Sequence, residues 1–377
     1  MLAMGALLLQ WTRSMKSWDV IIAGGGIIGL SLSIELHKRG AKVLVVERGE
    51  PGREASSAAG GMLVDCGVET SPALQPLATA SAQMYPEFVH EVETESGMKV
   101  DLRDQGTILF PAIERIQNRP EFSATSLPFA TRSEIEPALA ESTRAAYFLK
   151  ERSVDPRALT AAVVKAAKHR GVDFSSGDPA TAVNFSGSRV TGLTTTKTTF
   201  GAAKVINCAG AWAGQIPPQQ FPTRPVKGQM LCLAASSRTL LKHVIRAPEA
   251  YLIPRSDGRI VVGTTVEEAG FDKRTDVGTI QHLHRAAVEV VPELRNAKIL
   301  EDWAGLRPGT PDDLPILGET ATPGYYVAAG HFRDGILLAP ITAKVMADLV
   351  AGVDCSYDLV PFSPARFASV ALSSTRQ

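Results

Sequence analysis

A chain of 377 residues exceeds the size at which one hydrophobic core keeps growing, so two domains or one elaborated domain are expected. Lys plus Arg and Asp plus Glu each number 39, a balance that argues against nucleic acid or an anionic membrane as partner, and the 45% hydrophobic and 21% charged fractions are those of an ordinary globular protein. The four cysteines, Cys66, Cys208, Cys232 and Cys355, are far apart and form no C-x-x-C pair, which leaves no metal site and no disulfide framework and points to reduced thiols in the cytoplasm.

Residues 1–11 are apolar, but they are short for a membrane span, and Arg13 and Lys16 follow the apolar run instead of preceding it. Residues 1–15 therefore read as an extension upstream of the fold, with a weak signal or anchor left open. Residues 19–23 form an apolar strand, and Gly24-Gly25-Gly26-Ile27-Ile28-Gly29 follows as G-x-G-x-x-G. A helix over residues 30–39 and a second apolar strand at 42–46 lead to Glu47. Each glycine has a reason: Gly24 permits the tight turn, Gly26 lets backbone approach a pyrophosphate, and Gly29 lets helix pack on strand. The helix start directs N–H groups and its positive dipole end at an anion. Glu47 stands where a carboxylate accepts from ribose hydroxyls and repels a 2′-phosphate, which disfavours NADP. This is a dinucleotide site, with NAD and FAD both open at this point.

Residues 49–62 (GEPGREASSAAGGM) are small enough to lie flat against a ligand. Residues 72–94 are helical in pattern, with Pro86 as a break or kink. Short strands are expected within 100–110, and Asp155-Pro156 caps a helix running to about Arg170 before Gly171. Residues 172–174 and 189–196 read as a strand pair, and 203–207 as a buried strand entering Cys208-Ala209-Gly210-Ala211-Trp212. Strands follow at 225–233, 250–254 and 259–263, the last two joined as a hairpin across residues 255–258. Residues 279–290 are helical. Residues 324–329, the turn at Gly330 and a helix over 336–349 repeat the strand, turn and helix order of a nucleotide domain.

The motifs AGGGIIG with Glu47, SSAAGGML, VINCAGAW, PVKGQM, YLIPRSDGRIVVGTT, WAGLRPGTPDDLPILG and AGHFRDGILLAPIT occur in order from residue 18 to about 350. In this set the chain resembles the D-amino-acid oxidase superfamily, most closely the glycine oxidases of thiamine biosynthesis. The resemblance implies an α/β plus α+β fold: a Rossmann-like FAD-binding domain (residues 16–90, 151–224 and 300–355) and an interleaved antiparallel-sheet substrate domain (91–150 and 225–299), with 356–377 as a C-terminal tail. It implies non-covalent FAD, with Gly24, Gly26, Ile27, Ile28 and Gly29 at the pyrophosphate and Glu47 and Arg48 at the adenosine ribose. Ala55, Ser56, Gly60, Gly61 and Met62 would follow the diphosphate and flavin edge, and Ala180 would meet the adenine. Gly330, His331, Phe332, Asp334, Gly335, Ile336 and Leu337 would border the isoalloxazine. A helix beginning near Ile336 would direct its positive end at the pyrimidine edge, where reduced FAD is negative.

For the substrate, the resemblance implies Arg307 as a carboxylate clamp, Tyr251 as a hydroxyl that adds a contact, and Arg333 as a second arginine near the flavin. A guanidinium suits the clamp because its planar fork donates two parallel charge-assisted hydrogen bonds. Val266 falls where related enzymes carry a longer residue such as Met, so sarcosine or small D-amino acids are admitted beside glycine. No protein base is required: the neutral amine passes hydride from Cα to flavin N5, giving an imine, and O2 reoxidises the flavin to give H2O2. His331 beside the glycine turn reads as a structural hydrogen-bonding group. The alternatives left open are a dehydrogenase with a quinone or protein acceptor, an oxidase of N-substituted amino acids, and a non-enzymatic FAD-binding module. The oligomeric state stays open, a homo-oligomer included.

Overall fold

The structure, a computed structural model, describes residues 17–65, 70–111, 125–142 and 144–367. The expected extension at 1–15 and Cys66 lie outside these residues.

The apolar run at Ser17–Ala23 is a central strand, hydrogen-bonded in parallel to Val43–Glu47 on one side and Thr199–Asn207 on the other. Asp173–Ser176 extends the parallel sheet beyond Val43–Glu47, and Tyr325–Ala329 extends it beyond Thr199–Asn207. Such strands are apolar on both sides because both faces are covered. Val20, Ile22, Val43 and Val45 pack with the helices Ile27–Lys38, Gln75–Ser96, Pro156–Arg170 and Ala339–Ala351. Ile21, Ala23, Leu44 and Val46 face the opposite cluster with Leu193, Phe221 and Tyr325. The Asp155 cap forms as expected, its Oδ1 accepting from the N–H groups of Arg157 and Ala158 at 2.9 and 3.3 Å, with Pro156 at the helix start.

A second sheet stands over the C-terminal edge of the first. Its central strands are Ile299–Gly309, Arg224–Ala234, Arg259–Gly263, Tyr251–Pro254 and Val244–Arg246, in that order, all antiparallel. Alternation sends Leu231, Leu233, Ile245, Leu252, Ile260 and Val262 to one face, against Ile280, Leu283 and Ala287 of the helix Val277–Val290. Met230, Cys232, Val244, Ile253 and Val261 take the other face, with Tyr251 and Trp303 packed beside them. The hairpin across residues 255–258 is present as expected.

Several expectations are corrected. Ile299–Gly309 pairs along Arg224–Ala234 from Arg224↔Gly309 to Leu233↔Ile299, so residues 300–309 belong to the second sheet and not to the nucleotide-binding layer. Residues 356–367 are no loose tail, because Phe362 is fully buried in the core of the first layer. The expected strand pair near 172 and 189 does not form: Asp173–Ser176 joins Val43–Glu47, while Arg189–Thr195 pairs with Ala180–Ser186. The helix expected from Ile336 begins at Ala339, after a turn. Helix Gln75–Ser96 runs unbroken through Pro86. Proline deprives the Ala82 carbonyl of its helical donor, and Arg152 Nη1 donates to it instead at 3.2 Å. Among the described residues no helix is long and apolar enough to cross a membrane.

Candidate cofactor and substrate site

One cavity of about 1350 Å³ runs between the two sheets. At one end, the strand Ser17–Ala23 gives way to Gly24, whose φ of +117° and position leave no room for a side chain: a Cβ would lie 2.3 Å from the Cys208 carbonyl oxygen. A Cβ on Gly29 would lie 2.1 Å from the Gly24 oxygen, so helix Ile27–Lys38 seats on the turn itself. Gly29 thus supports the cavity from behind, whereas Gly24, Gly26, Ile27 and Ile28 line it.

The N–H of Ile27 donates to Ser56 Oγ at 2.8 Å, while those of Ile28 and Gly29 have no protein acceptor among the described residues. Glu47 lines the same end, its carboxylate fixed by the N–H groups of Gly25 (2.7 Å) and Gly49 (2.8 Å). Arg48 lies over the Trp212 ring at 4.4 Å. Ala55, Ser56, Gly60, Gly61, Met62 and Ala180 also line the cavity. A glycine-cleared helix start with free N–H groups, followed by a carboxylate at the strand end, is the donor and acceptor set that a pyrophosphate and a ribose require. The residues fit an ADP-containing cofactor.

Further along, His331, Phe332, Arg333, Asp334, Gly335 and Ile336 line the cavity, while Gly330 and Leu337 stand behind it. The His331 imidazole is buried and turned to Thr342 Oγ1 at 3.2 Å, and burial pushes its pKa down to about 3. It is neutral throughout the physiological range. Phe332 adopts a left-handed φ of 45°, and its N–H donates to the Pro308 carbonyl at 2.9 Å. That bond sews the turn to the strand carrying Arg307.

The ceiling is the inner face of the second sheet. Gly228, Gly263 and Gly305 sit on it where neighbouring side chains need space. A Cβ on Gly228 would lie 2.3 Å from Arg307 Nη1, one on Gly263 would lie 2.6 Å from the Tyr251 ring, and one on Gly305 would lie 2.6 Å from Ala58 Cβ. Arg307 donates from Nη2 to Thr264 Oγ1 at 2.9 Å and from Nη1 to the Thr265 carbonyl at 3.2 Å. Burial lowers its pKa, with the neighbouring Tyr251 opposing and Arg333 adding to the shift, yet a guanidinium remains charged. Burial raises the Tyr251 pKa against the pull of Arg307, so the hydroxyl keeps its proton. The hydroxyl donates to Met230 Sδ at 3.8 Å, a weak acceptor, and also bonds the side chains of Thr264 and Arg307. Arg333 is exposed, 5.1 Å over the Phe332 ring, and Val266 is 54% exposed at the cavity wall.

Sequence reading missed the three ceiling glycines, Thr264 and Trp212. PVKGQM and WAGLRP were recognised as motifs, but a glycine cleared for a guanidinium on the next strand is visible only when the strands are paired. Trp212 lay in a segment already read as permitting close approach.

A doubly covered parallel sheet with this cradle, facing an antiparallel ceiling, defines a dinucleotide-dependent redox enzyme. Residues 19–349 match the family described as DAO, FAD dependent oxidoreductase, and the chain belongs to that family; its cofactor is FAD. A glycine oxidase from Geobacillus kaustophilus, of known crystal structure, is 33% identical, superposes with a TM-score of 0.87, and is matched over 93% of this chain and 99% of its own. The bifunctional protein ThiO/ThiG of Trichormus variabilis is 35% identical over 88% of this chain, which spans about half (52%) of that relative. Hydrogen cyanide synthase subunit HcnC of Pseudomonas aeruginosa is 32% identical over 93% of this chain and 97% of its own length.

Proposed function

We propose that this enzyme oxidises glycine and other small amines, including sarcosine and small D-amino acids, to the imine, with O2 as electron acceptor and H2O2 as product. The observation that carries the reading is the Arg307 guanidinium, half-buried in the slot left by Gly228 and held by Thr264 and Thr265 beside a protonated Tyr251. Thr264, Thr265 and the Tyr251 hydroxyl bond this guanidinium, and its five N–H groups leave donors for a substrate carboxylate. The Tyr251 hydroxyl, whose donor is held only by a weak sulfur acceptor, can turn it to that carboxylate and supply a further hydrogen bond.

Gly24, Gly26, Ile27 and Ile28 would hold the pyrophosphate, Glu47 and Arg48 the ribose, Ala180 the adenine, and the turn from His331 to Leu337 the isoalloxazine edge. FAD, when bound, supplies the two-electron acceptor for hydride from the amine carbon. Arg307 and Tyr251 fix the substrate carboxylate and so orient the adjacent Cα, which is the positioning this chemistry needs. Neutral His331, facing Thr342, contributes structure and no proton transfer. Val266, shorter than Met, leaves space beside Cα. The free thiols Cys208, Cys232 and Cys355 suit a reducing cytoplasm. Similarity to ThiO/ThiG supports delivery of the glycine imine to thiazole synthesis.

The test is a panel of glycine, sarcosine, D-alanine, D-proline and longer N-alkyl amino acids, followed by anaerobic flavin bleaching and by peroxide under air. Bleaching and peroxide with glycine or sarcosine are expected; no bleaching with any member overturns the reading. A second reading, transfer to a quinone or protein acceptor, draws support from the similarity to HcnC. Bleaching without peroxide under air would select it.

A further inference from the structure

The turn that precedes helix Ala339–Ala351 lacks part of its own hydrogen bonding. In a helix the Ile336 carbonyl would accept from the N–H of residue 340, but residue 340 is proline and has none. The Ile336 oxygen accepts a long bond from the Ala339 N–H at 3.2 Å, and the Tyr85 hydroxyl, on helix Gln75–Ser96, supplies a second donor. One turn earlier on the same helix face, Ser81 Oγ donates to the Leu337 oxygen at 2.6 Å and accepts from the Ile341 N–H at 3.3 Å. It stands between two groups that would otherwise bond each other. Both side chains are fully buried, and burial raises the Tyr85 pKa, so its hydroxyl remains a donor.

These two hydroxyls fix the peptide planes of the turn. In a trans peptide the carbonyl and the following N–H point in opposite directions, so an Ile336 carbonyl held toward Tyr85 directs the Leu337 N–H away from that helix. The Leu338 N–H is taken by the Asp334 carbonyl at 2.8 Å, whereas those of Gly335, Ile336 and Leu337 have no protein acceptor among the described residues. Gly335 and Ile336 line the cavity. The unoccupied donors are therefore on the segment that would border the isoalloxazine.

We infer that Tyr85 and Ser81 are positioning residues that set the reduction potential of the bound FAD by holding this donor array in orientation; the inference rests on the cofactor placement proposed above. Oriented N–H groups favour the more negative, reduced cofactor over the oxidised one. Without the Tyr85 hydroxyl, the Ile336 carbonyl keeps only the long bond from the Ala339 N–H at 3.2 Å, and its peptide plane is held less firmly.

The test compares the FAD-loaded wild type with Tyr85→Phe and Ser81→Ala by midpoint potential, FAD dissociation constant and thermal midpoint. Tyr85→Phe is expected to weaken the preference for reduced over oxidised FAD about tenfold, a fall of about 30 mV for a two-electron couple. Ser81→Ala should shift it in the same direction. Pro340→Ala in the Tyr85→Phe background returns an N–H to residue 340 and should restore most of the potential, which simple loss of packing would not allow. An unchanged potential in Tyr85→Phe, or no recovery with Pro340→Ala, overturns the inference. A wild-type chain that holds no FAD would instead overturn the cofactor placement on which it rests.

Discussion

Gly228→Ala isolates the geometry of the substrate clamp without touching its charge. The added methyl would lie 2.3 Å from Arg307 Nη1, 2.4 Å from Nη2 and 2.6 Å from Cζ, where ordinary contact begins at 3.4 Å. The guanidinium must therefore retreat by about 1 Å. Gly228 has no left-handed φ, and the atoms displaced belong to the flexible end of a side chain, so the strand should accept alanine at small cost to stability. A misplacement of about 1 Å at an orienting group costs on the order of 10²-fold in rate, or about 2.7 kcal/mol of transition-state stabilisation. The assay is steady-state peroxide formation from glycine, with the thermal midpoint, FAD affinity and binding of a simple carboxylate such as glycolate measured alongside. We expect kcat/KM to fall by about 10²-fold and glycolate to bind more weakly, while FAD affinity and thermal midpoint stay close to wild type. Activity within twofold of wild type would refute the assignment of Arg307 as the clamp.

Tyr251→Phe removes one hydrogen bond to a charged group, worth about 1.5–3 kcal/mol; kcat/KM for glycine should drop at least about tenfold, and an unchanged value would exclude the hydroxyl from substrate binding. Val266→Met fills space at the cavity wall and should narrow the substrate range, so a constant ratio of kcat/KM for glycine and D-alanine would count against its placement there. For His331 the folded pKa of about 3 lies below the ordinary 6.5, so the unfolded chain takes up a proton that the folded protein resists. Stability is complete above about pH 6.5 and is lost as pH falls, by about 2 kcal/mol at pH 5 at 1.36 kcal/mol per unit. His331→Gln should flatten the thermal midpoint between pH 7 and pH 5, and slopes equal to wild type would show that the imidazole is not the acid-sensitive group.

Features encoded locally were legible in the sequence. The turn from Gly24 to Gly29, the Asp155-Pro156 cap and the hairpin around residues 255–258 each depend on neighbours a few positions away. Features set by distant partners were not. Pro86 reads as a break because its missing donor is local, whereas the replacement from Arg152 is tertiary. Strand Ile299–Gly309 shows weak alternation and few buried residues, so its sheet is decided by its long pairing with Arg224–Ala234. At the site, the arginine and tyrosine announced themselves by type and motif. The space they occupy did not, because a glycine's purpose depends on what lies across the sheet.

The strand order also bears on how the chain is made. Ser17–Ala23 emerges first, yet it lies beside Thr199–Asn207, which in turn waits for Tyr325–Ala329 on its other flank. An unfinished chain therefore carries apolar strands whose neighbours have yet to be synthesised, the kind of exposed edge that invites aggregation. The phosphate-binding turn is translated about 300 residues before the segment beyond Ala329, so the two ends of the cavity come together only once both have been made. Cofactor capture therefore waits for strand Tyr325–Ala329 and the turn that follows it to be made.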